Sequence, residues 1–166
     1  MLRKILIGAV LFSLVLIVAA CAGPTSTSPP TPPSGPIKAK WIEPLVADET
    51  VSIPVSEVEN NWNIHFELST SAGDIAFMAY ELGGKLYVRA NACPPCGSIG
   101  FSLQGGILVC DTCRTTFKAK TGDGIEGACV DFPKASVPYE ITDGNIIMGG
   151  DDLLAAYQNT LNPGWP

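Results

Sequence analysis

Residues 93–113 read CPPCGSIGFSLQGGILVCDTC, and this segment is the most informative part of the sequence for both structure and chemistry. Two CxxC pairs, Cys93 with Cys96 and Cys110 with Cys113, enclose thirteen residues. Apolar residues on both sides of Gly105-Gly106 predict two strands joined by a tight turn. This hairpin would fold the second pair of cysteines back onto the first. We therefore expect four thiols to meet at one end of a β-hairpin.

Four thiols in two such pairs favour a metal site. Two thiolates three positions apart on a tight turn bind one side of a tetrahedral ion, and a second turn completes the coordination. Four thiolates suit zinc, a single rubredoxin-like iron or a [2Fe–2S] cluster, and the residues alone leave iron and zinc open. Cys129 is a candidate fifth ligand, which we expect to lie near the other four cysteines.

Three other uses of paired cysteines fit the sequence less well. Disulfides stay open as an alternative outside the cytoplasm, although five cysteines cannot all pair. A thioredoxin-like pair needs its CxxC at a helix N-terminus, and Pro95 followed by Gly-Ser-Ile-Gly at 97–100 gives no helical pattern. Covalent haem attachment requires a histidine directly after CxxC, where Gly97 and Arg114 stand. Covalent attachment of haem is therefore excluded.

The N-terminus has the features of an export signal. Residues 1–20 combine Arg3 and Lys4 with a long uncharged apolar run, and Cys21 follows two alanines. This segment resembles the lipobox of bacterial lipoproteins, which implies cleavage before Cys21 and attachment of lipid to its thiol. Residues 21–36 are rich in Pro, Ser and Thr and predict a semi-extended spacer. We expect an extracytoplasmic protein anchored to a cell membrane by lipid.

The charge and the single histidine exclude several function classes. The 166 residues carry 16 Asp and Glu against 10 Lys and Arg, a formal net charge of −6. Nucleic acid is therefore not an expected partner, because phosphate binding needs a basic surface. One histidine rules out sites built from several imidazoles, and His65 is expected at the surface or in a hydrogen bond. Without a nucleophile motif, a metal-binding or electron-transfer module is favoured over an enzyme.

Residues 37–166 are predicted to form one mainly β domain. Apolar residues alternate over 62–68, and Gly83-Gly84 and Asp143-Gly144 each lie between two apolar segments, as in hairpins. Short strands with glycine-rich turns favour an antiparallel β-sandwich or small barrel whose hairpin loops bind the metal.

Two further elements complete the secondary-structure prediction. A strand is expected over 51–58, with Pro54 placing it at a sheet edge or a bulge. The segment 151–157 is the one stretch with a helical pattern, and Asp151 or Asp152 suits its N-terminal end. The predicted domain therefore ends in a short C-terminal helix.

Several segments together resemble those of one protein family. They are VSIPVSEV at 51–58, RANAC at 89–93, the second CxxC with Phe117 downstream, and Gly-Ala-Cys at 127–129 before a proline. This set, spread from Trp41 to Met148, resembles the membrane iron–sulfur-containing FtrD-like family, which is associated with bacterial iron-transport membrane systems. The resemblance implies an iron–sulfur cofactor and five ligand positions: Cys93, Cys96, Cys110, Cys113 and Cys129. Arg114 departs from the family, whose members often have glycine there.

The order of the cysteine hairpins also resembles that of Rieske domains. Residues 108–117, with Thr121-Gly122 beyond them, are similar to the second Rieske hairpin. Cys96 and Cys113 stand where Rieske domains have histidines, which implies a Rieske-like fold with a site of lower potential and without oxygenase chemistry. We expect one-electron transfer with a membrane redox or iron-transport protein. A structural zinc-ribbon-like adaptor is the alternative, and a thiol–disulfide protein is a third.

Overall fold

The computed structural model describes residues 33–166, which form short strands and two helices. The strands are β1 (Lys40–Trp41), β2 (Leu45–Ala47), β3 (Thr50–Pro54), β4 (Asn63–Thr70), β5 (Gly73–Leu82), β6 (Lys85–Ala90), β7 (Phe101–Gln104), β8 (Ile107–Cys110), β9 (Thr116–Lys118), β10 (Gly124–Glu126), β11 (Glu140–Thr142) and β12 (Asn145–Gly149). The helices are α1 (Val55–Asn61) and α2 (Gly150–Leu161). The predicted signal peptide at 1–20, Cys21 and most of the predicted spacer at 21–36 lie outside the described residues.

The central layer of the domain is a sheet with the order β1-β4-β5-β6. Its strands pair antiparallel, except that β1 runs parallel to β4. Successive side chains point to opposite faces of a strand. Phe77 of β5 therefore packs into a core with β3, β12 and α2, whereas Met78 and Tyr80 pack into a second core. Because both faces are covered, β5 is buried over six consecutive residues, 75–80.

The second core joins the central sheet to the sheet that carries the cysteines. This antiparallel sheet has the order β10-β9-β8-β7. Phe101 of β7, Leu108 of β8 and Phe117 of β9 are completely buried, and the two phenylalanine rings meet edge to face at 5.9 Å. Cys93 and Cys110 are buried in the same cluster. The apolar core between the two sheets is therefore the support of the cysteine site.

A third antiparallel sheet, β11-β12-β3-β2, packs with α2 against the other face of the central sheet. The described strands thus form three open sheets, and no closed barrel occurs among residues 33–166. The predicted mainly antiparallel β fold with a C-terminal helix is confirmed. Of the two architectures expected from the sequence, the small barrel does not form.

All three hairpins predicted from glycine-containing turns are present. Gly83 and Gly84 link β5 to β6 with φ of 61° and 76°, and Asp143 and Gly144 link β11 to β12 with φ of 50° and 73°. Two successive residues with positive φ define the turn whose twist matches that of paired strands. The Gly105-Gly106 turn links β7 to β8 and directs Cys110 back toward the first cysteine pair.

The strand predicted over 51–58 is wrong in its second half. β3 ends at Pro54, and α1 begins at Val55. Proline disfavours continued sheet pairing and suits the start of a helix, where its missing N–H is not needed. Glu57 lies in the first turn of α1, where a carboxylate interacts favourably with the helix dipole, and Val58 is buried. Pro54 ends a strand inside the third sheet rather than lying at the edge of a sheet.

The C-terminal helix is longer than predicted. α2 covers Gly150–Leu161, with Gly149 as N-cap and without a side-chain cap. Asp151 and Asp152 lie in its first turn. Their carboxylates therefore interact favourably with the helix dipole, but neither residue caps the helix.

Arg89 of β6 fixes the central sheet to the segments around the cysteine site. Its side chain is buried and donates hydrogen bonds to the Tyr80 hydroxyl (2.9 Å) and to the carbonyls of Lys134 (2.7 Å), Lys120 (2.8 Å) and Ala119 (3.3 Å). A guanidinium has five N–H donors in a fixed plane, so one side chain satisfies several buried carbonyls. This network positions the segment from residue 119 to residue 134 relative to the central sheet.

Candidate metal centre

The first cysteine pair forms a tight turn directly after β6. The amides of Cys96 and Gly97 donate to the Cys93 carbonyl at 3.1 and 2.9 Å, and the Cys93 amide donates to the Ser98 carbonyl at 2.8 Å. Gly97 has a φ of 69°, a left-handed conformation that glycine adopts without steric cost. The turn therefore points both sulfur atoms, three positions apart, toward the same side.

The second pair repeats this geometry at the end of β8. The Arg114 amide donates to the Cys110 carbonyl at 3.0 Å, and the Cys110 amide donates to the Thr115 carbonyl at 2.9 Å. Arg114 has a φ of 64°, so it occupies the left-handed position that Gly97 holds in the first turn. The glycine expected from the family resemblance would adopt this left-handed conformation without steric cost. In this chain an exposed arginine adopts the same conformation.

The two turns are also bonded to each other. The Asp111 amide donates to the Gly100 carbonyl at 2.9 Å, and the Ser102 hydroxyl donates to Oδ1 of Asp111 at 2.6 Å. Gly100 lies against Asp111, since a Cβ added at Gly100 would come within 3.1 Å of Oδ2. These contacts hold the two cysteine turns side by side.

The four sulfur atoms come together as the spacing predicts. The Sγ atoms of Cys93, Cys96, Cys110 and Cys113 all lie within 4.8 Å of one another. Across the two turns, Cys93 Sγ is 3.9 Å from Cys113 Sγ, and Cys96 Sγ is 3.8 Å from Cys110 Sγ. All four thiols are free rather than joined in disulfides.

These distances match the coordination of a single ion. Metal–sulfur bonds of about 2.3 Å in a tetrahedron place neighbouring sulfurs about 3.8 Å apart. In a two-iron cluster each iron takes one pair of cysteines, so bridging sulfides hold the pairs farther apart than the edge of one tetrahedron. The four cysteines therefore fit an iron or zinc ion bound singly better than they fit a [2Fe–2S] cluster.

The environment of the thiols differs between the inner and the outer cysteines. Cys93 and Cys110 are buried, and burial raises the pKa of both. Cys96 and Cys113 are partly exposed. Burial alone would raise the pKa of Cys113, but hydrogen bonds with Thr115, Cys110 and Cys96 outweigh it and lower this pKa to about 6. The Cys113 thiol therefore ionises more readily than the thiols of Cys93 and Cys110.

Cys129 lies beside the group of four and not within it. Its Sγ is buried, 3.7 Å from Cys113 Sγ, and its amide donates to the Thr115 hydroxyl at 3.2 Å. Gly127 permits this approach, since a Cβ there would be 2.5 Å from Thr115 Oγ1. Cys129 is thus near the site, as expected, but it is not part of the compact group of four sulfurs.

Lys134 is a residue of this region that the sequence did not identify. It is completely buried, and its Nζ donates to the carbonyls of Ala92 at 2.6 Å and Phe132 at 2.7 Å. Burial lowers the pKa of Lys134 to about 8, although the neighbouring cysteines act to raise it. Nothing in the sequence distinguishes this lysine from the surface lysines, because its burial follows from the packing of distant segments.

His65 is not the surface or hydrogen-bonded residue that the sequence predicts. It is buried, neither ring nitrogen has a hydrogen-bond partner, and its ring lies edge-on to Trp41 at 5.1 Å. The face of β4 that reads as polar is covered because the central sheet is packed on both sides. Burial lowers the pKa of His65 to about 3, so the imidazole is neutral. Among residues 33–166, the four cysteines are the side chains grouped closely enough to hold a metal.

The fold and the site together define a metal-binding β domain in which two CxxC turns at the end of antiparallel hairpins present four thiols. The family described as membrane iron-sulfur containing protein FtrD-like matches residues 58–159. This match covers more than half of the chain, and the protein therefore belongs to that family.

Two solved structures are similar to part of this chain. The complex of reduced oxygenase and oxidized ferredoxin in carbazole 1,9a-dioxygenase is 17% identical, with 52% of this chain and 80% of that chain covered and a TM-score of 0.43. The Sphingomonas yanoikuyae B1 ferredoxin is 23% identical, with 45% and 74% covered and a TM-score of 0.40. No curated protein matches this chain.

Proposed function

We propose that this protein is a lipid-anchored, extracytoplasmic one-electron carrier in which Cys93, Cys96, Cys110 and Cys113 hold a single iron ion. The observation that carries the proposal is the group of four sulfur atoms within 4.8 Å, presented by two turns of matching backbone geometry. Iron bound by four thiolates supplies reversible exchange of one electron between its ferric and ferrous states.

Membership of an iron–sulfur family supports iron over zinc at this site. The sulfur spacing supports one ion over a two-iron cluster. A structural zinc site is the second candidate, because the same spacing suits zinc equally well and a zinc ion held by four cysteines would stabilise the fold without redox chemistry.

The burial of the cysteines suits electron exchange at the surface. Cys93 and Cys110 are buried in the core between two sheets, whereas Cys96 and Cys113 are partly exposed. The inner pair keeps the site rigid, and the outer pair offers a short path to a docked partner. The partner we propose is a membrane redox or iron-transport protein, since a lipid anchor would confine this domain to the membrane surface.

The electron-transfer proposal is tested by spectroelectrochemical titration of the iron-loaded domain. A single reversible one-electron transition in the visible spectrum is the expected result. Cys113→Ser and Cys96→Ser should lose the bands and the iron, whereas Lys118→Met, a change of an exposed side chain on the cysteine-bearing sheet, should retain both. A colourless wild-type protein that binds zinc and rejects iron would support the structural zinc site instead.

The anchoring proposal rests on the sequence of residues 1–21. Among residues 33–166, no helix is long and apolar enough to cross a membrane. Export would remove Arg3 and Lys4 but no acidic residue, leaving a chain more acidic than −6. Acyl chains, rather than a basic patch, would therefore hold the protein on anionic lipid. Cys21→Ala should move it from the membrane fraction to the soluble fraction; unchanged membrane retention would contradict the lipid anchor.

A further inference from the structure

Lys134 carries a buried positive charge without a carboxylate partner. Its side chain is completely buried, and the salt bridges among residues 33–166 join Lys40 to Glu57 and Lys118 to Asp123. Moving an ammonium group out of water is costly unless other groups replace the lost solvation. The fold must therefore compensate this charge in another way.

Neutral groups provide part of this compensation. Two carbonyls, of Ala92 and Phe132, accept hydrogen bonds from Nζ, which has three N–H donors. The ring centroids of Phe117 and Phe101 lie 4.3 and 5.4 Å from Nζ, within the range of cation–π interactions. These dipoles and rings orient the ammonium, but none of them carries a full negative charge.

The same contacts place the ammonium directly under the cysteine site. Ala92 immediately precedes Cys93 in the chain, and Phe101 pairs across the sheet with Cys110. Phe101 and Phe117 belong to the apolar cluster that buries these two cysteines. Lys134 therefore lies on the side of the cysteine site that is formed by the buried Cys93 and Cys110.

Metal binding would supply the missing negative charge. Four thiolates exceed the charge of a divalent ion by two and that of ferric iron by one. A buried ammonium stabilises the more negative form more strongly, because the interior screens charges weakly. Reduction of bound iron adds one electron and one negative charge, so a nearby cation favours the reduced form.

Building on the proposed metal site, we propose that Lys134 is the counter-charge of the cysteine centre, which strengthens metal binding and raises the reduction potential of bound iron. Lys134 acts on the metal through charge and is a positioning residue rather than a ligand. It stabilises the loaded site more than the protein without metal, where no thiolates balance its charge.

Two neutral variants and one charged variant test this role. Lys134→Met removes the charge and keeps the apolar length, Lys134→Gln keeps an N–H group for the carbonyls, and Lys134→Arg keeps the charge. Lys118→Met is the control, because Lys118 also lies on the cysteine-bearing sheet but its side chain is 59% exposed. Zinc affinity is measured by competition with a chelator, and the potential is measured on iron-loaded protein.

Both neutral variants should bind zinc about tenfold more weakly than wild type, since a buried charge interaction is lost. They should also shift the ferric-to-ferrous ratio about tenfold toward ferric, equivalent to about 59 mV for one electron. Lys134→Arg and Lys118→Met should stay close to wild type. The neutral variants should lose more stability in the zinc-loaded form than in the metal-free form, because the carbonyls of Ala92 and Phe132 lose their donor in both forms but the charge interaction is lost only with metal bound.

Unchanged zinc affinity in both neutral variants would overturn the proposal. Equal destabilisation of the metal-free and zinc-loaded forms would overturn it as well, because it would show a purely structural lysine. The zinc measurement does not depend on the native metal being iron. Failure of the electron-carrier proposal would therefore leave the role of Lys134 separately testable.

Discussion

Left-handed backbone follows the second cysteine in both turns, but only one of the two residues there is a glycine. Gly97 has a φ of 69° and Arg114 a φ of 64°. A residue with a Cβ pays about 1–2 kcal/mol for this conformation. Arg114 is exposed, so its side chain does not compensate that cost through packing.

Arg114→Gly should therefore raise the free energy of unfolding by up to about 1 kcal/mol, after allowance for the greater freedom of glycine in the unfolded chain. Gly97→Ala should lower it by about 1 kcal/mol, since no atom lies within 4 Å of the added Cβ and only the backbone is strained. Denaturant unfolding measures both changes. Arg114→Ala is the control for lost charge, and an equal gain in that variant would contradict the backbone explanation.

Cys129 is expected to be dispensable for metal binding. It contacts Cys113 at 3.7 Å but lies outside the compact group of four sulfurs. Cys129→Ser should keep the wild-type metal content by elemental analysis, because four thiolates already complete a tetrahedron. Cys113→Ser, the matched change of the neighbouring sulfur, should lose the metal. Loss of metal from Cys129→Ser would show that it is a ligand.

His65 should make the stability of the protein depend on pH. Burial lowers its folded-state pKa to about 3, while the unfolded chain binds a proton near the ordinary value of 6.5. Stability is thus fully present above pH 6.5 and falls as the pH drops toward 3, by up to about 1.4 kcal/mol per pH unit. Since this is the single histidine of the chain, His65→Leu should remove the slope.

The slope is best measured between pH 5 and 6.5 by denaturant unfolding, because ordinary Asp and Glu side chains remain ionised in that window. Identical slopes for wild type and His65→Leu would contradict the assignment.

The site cysteines were predictable from spacing alone, whereas the burial of His65 and Lys134 was not. Whether a polar side chain is buried depends on which sheets pack against its strand. The alternation of apolar residues identifies one buried face of a strand, but it does not show whether the other face is also covered.

At the scale of elements, turn chemistry was the most informative part of the sequence. The three glycine-containing hairpins form where predicted, because two-residue turns with positive φ restrict the choice of residues. Helix α1 was missed because the alternation over 51–58 continues through Pro54, whereas the chain changes from strand to helix at that residue. Periodicity over four residues does not separate a short helix from a strand.

Arg89 connects two of these elements, and its removal should loosen the cysteine-bearing sheet. Arg89→Met leaves the carbonyls of Lys134 and Lys120 without the donor that Arg89 supplies, although the Ala119 carbonyl still accepts from Tyr80. We expect this change to lower the free energy of unfolding by about 3 kcal/mol. Tyr80→Phe removes only one hydroxyl of the same network and should cost about 1 kcal/mol. Thermal unfolding with and without zinc measures both. A wild-type stability for Arg89→Met would contradict the connecting role.

At the scale of the whole molecule, three layers place the cysteines where one side is buried and the other meets solvent. The central sheet supplies two cores, and the core shared with the cysteine-bearing sheet contains Cys93, Cys110 and, at its margin, Lys134. The sequence predicted the β class and the four thiols, but not the layer order. Contacts between layers join residues far apart in the chain and leave no local pattern.

The central claim is that Cys93, Cys96, Cys110 and Cys113 bind one iron ion. The most direct test is the iron and acid-labile sulfide content per chain of protein purified without oxygen from membranes of cells producing the full chain. We expect one iron per chain, no acid-labile sulfide, and loss of that iron in Cys110→Ser. Two irons with two sulfides per chain, or zinc in place of iron, would contradict it.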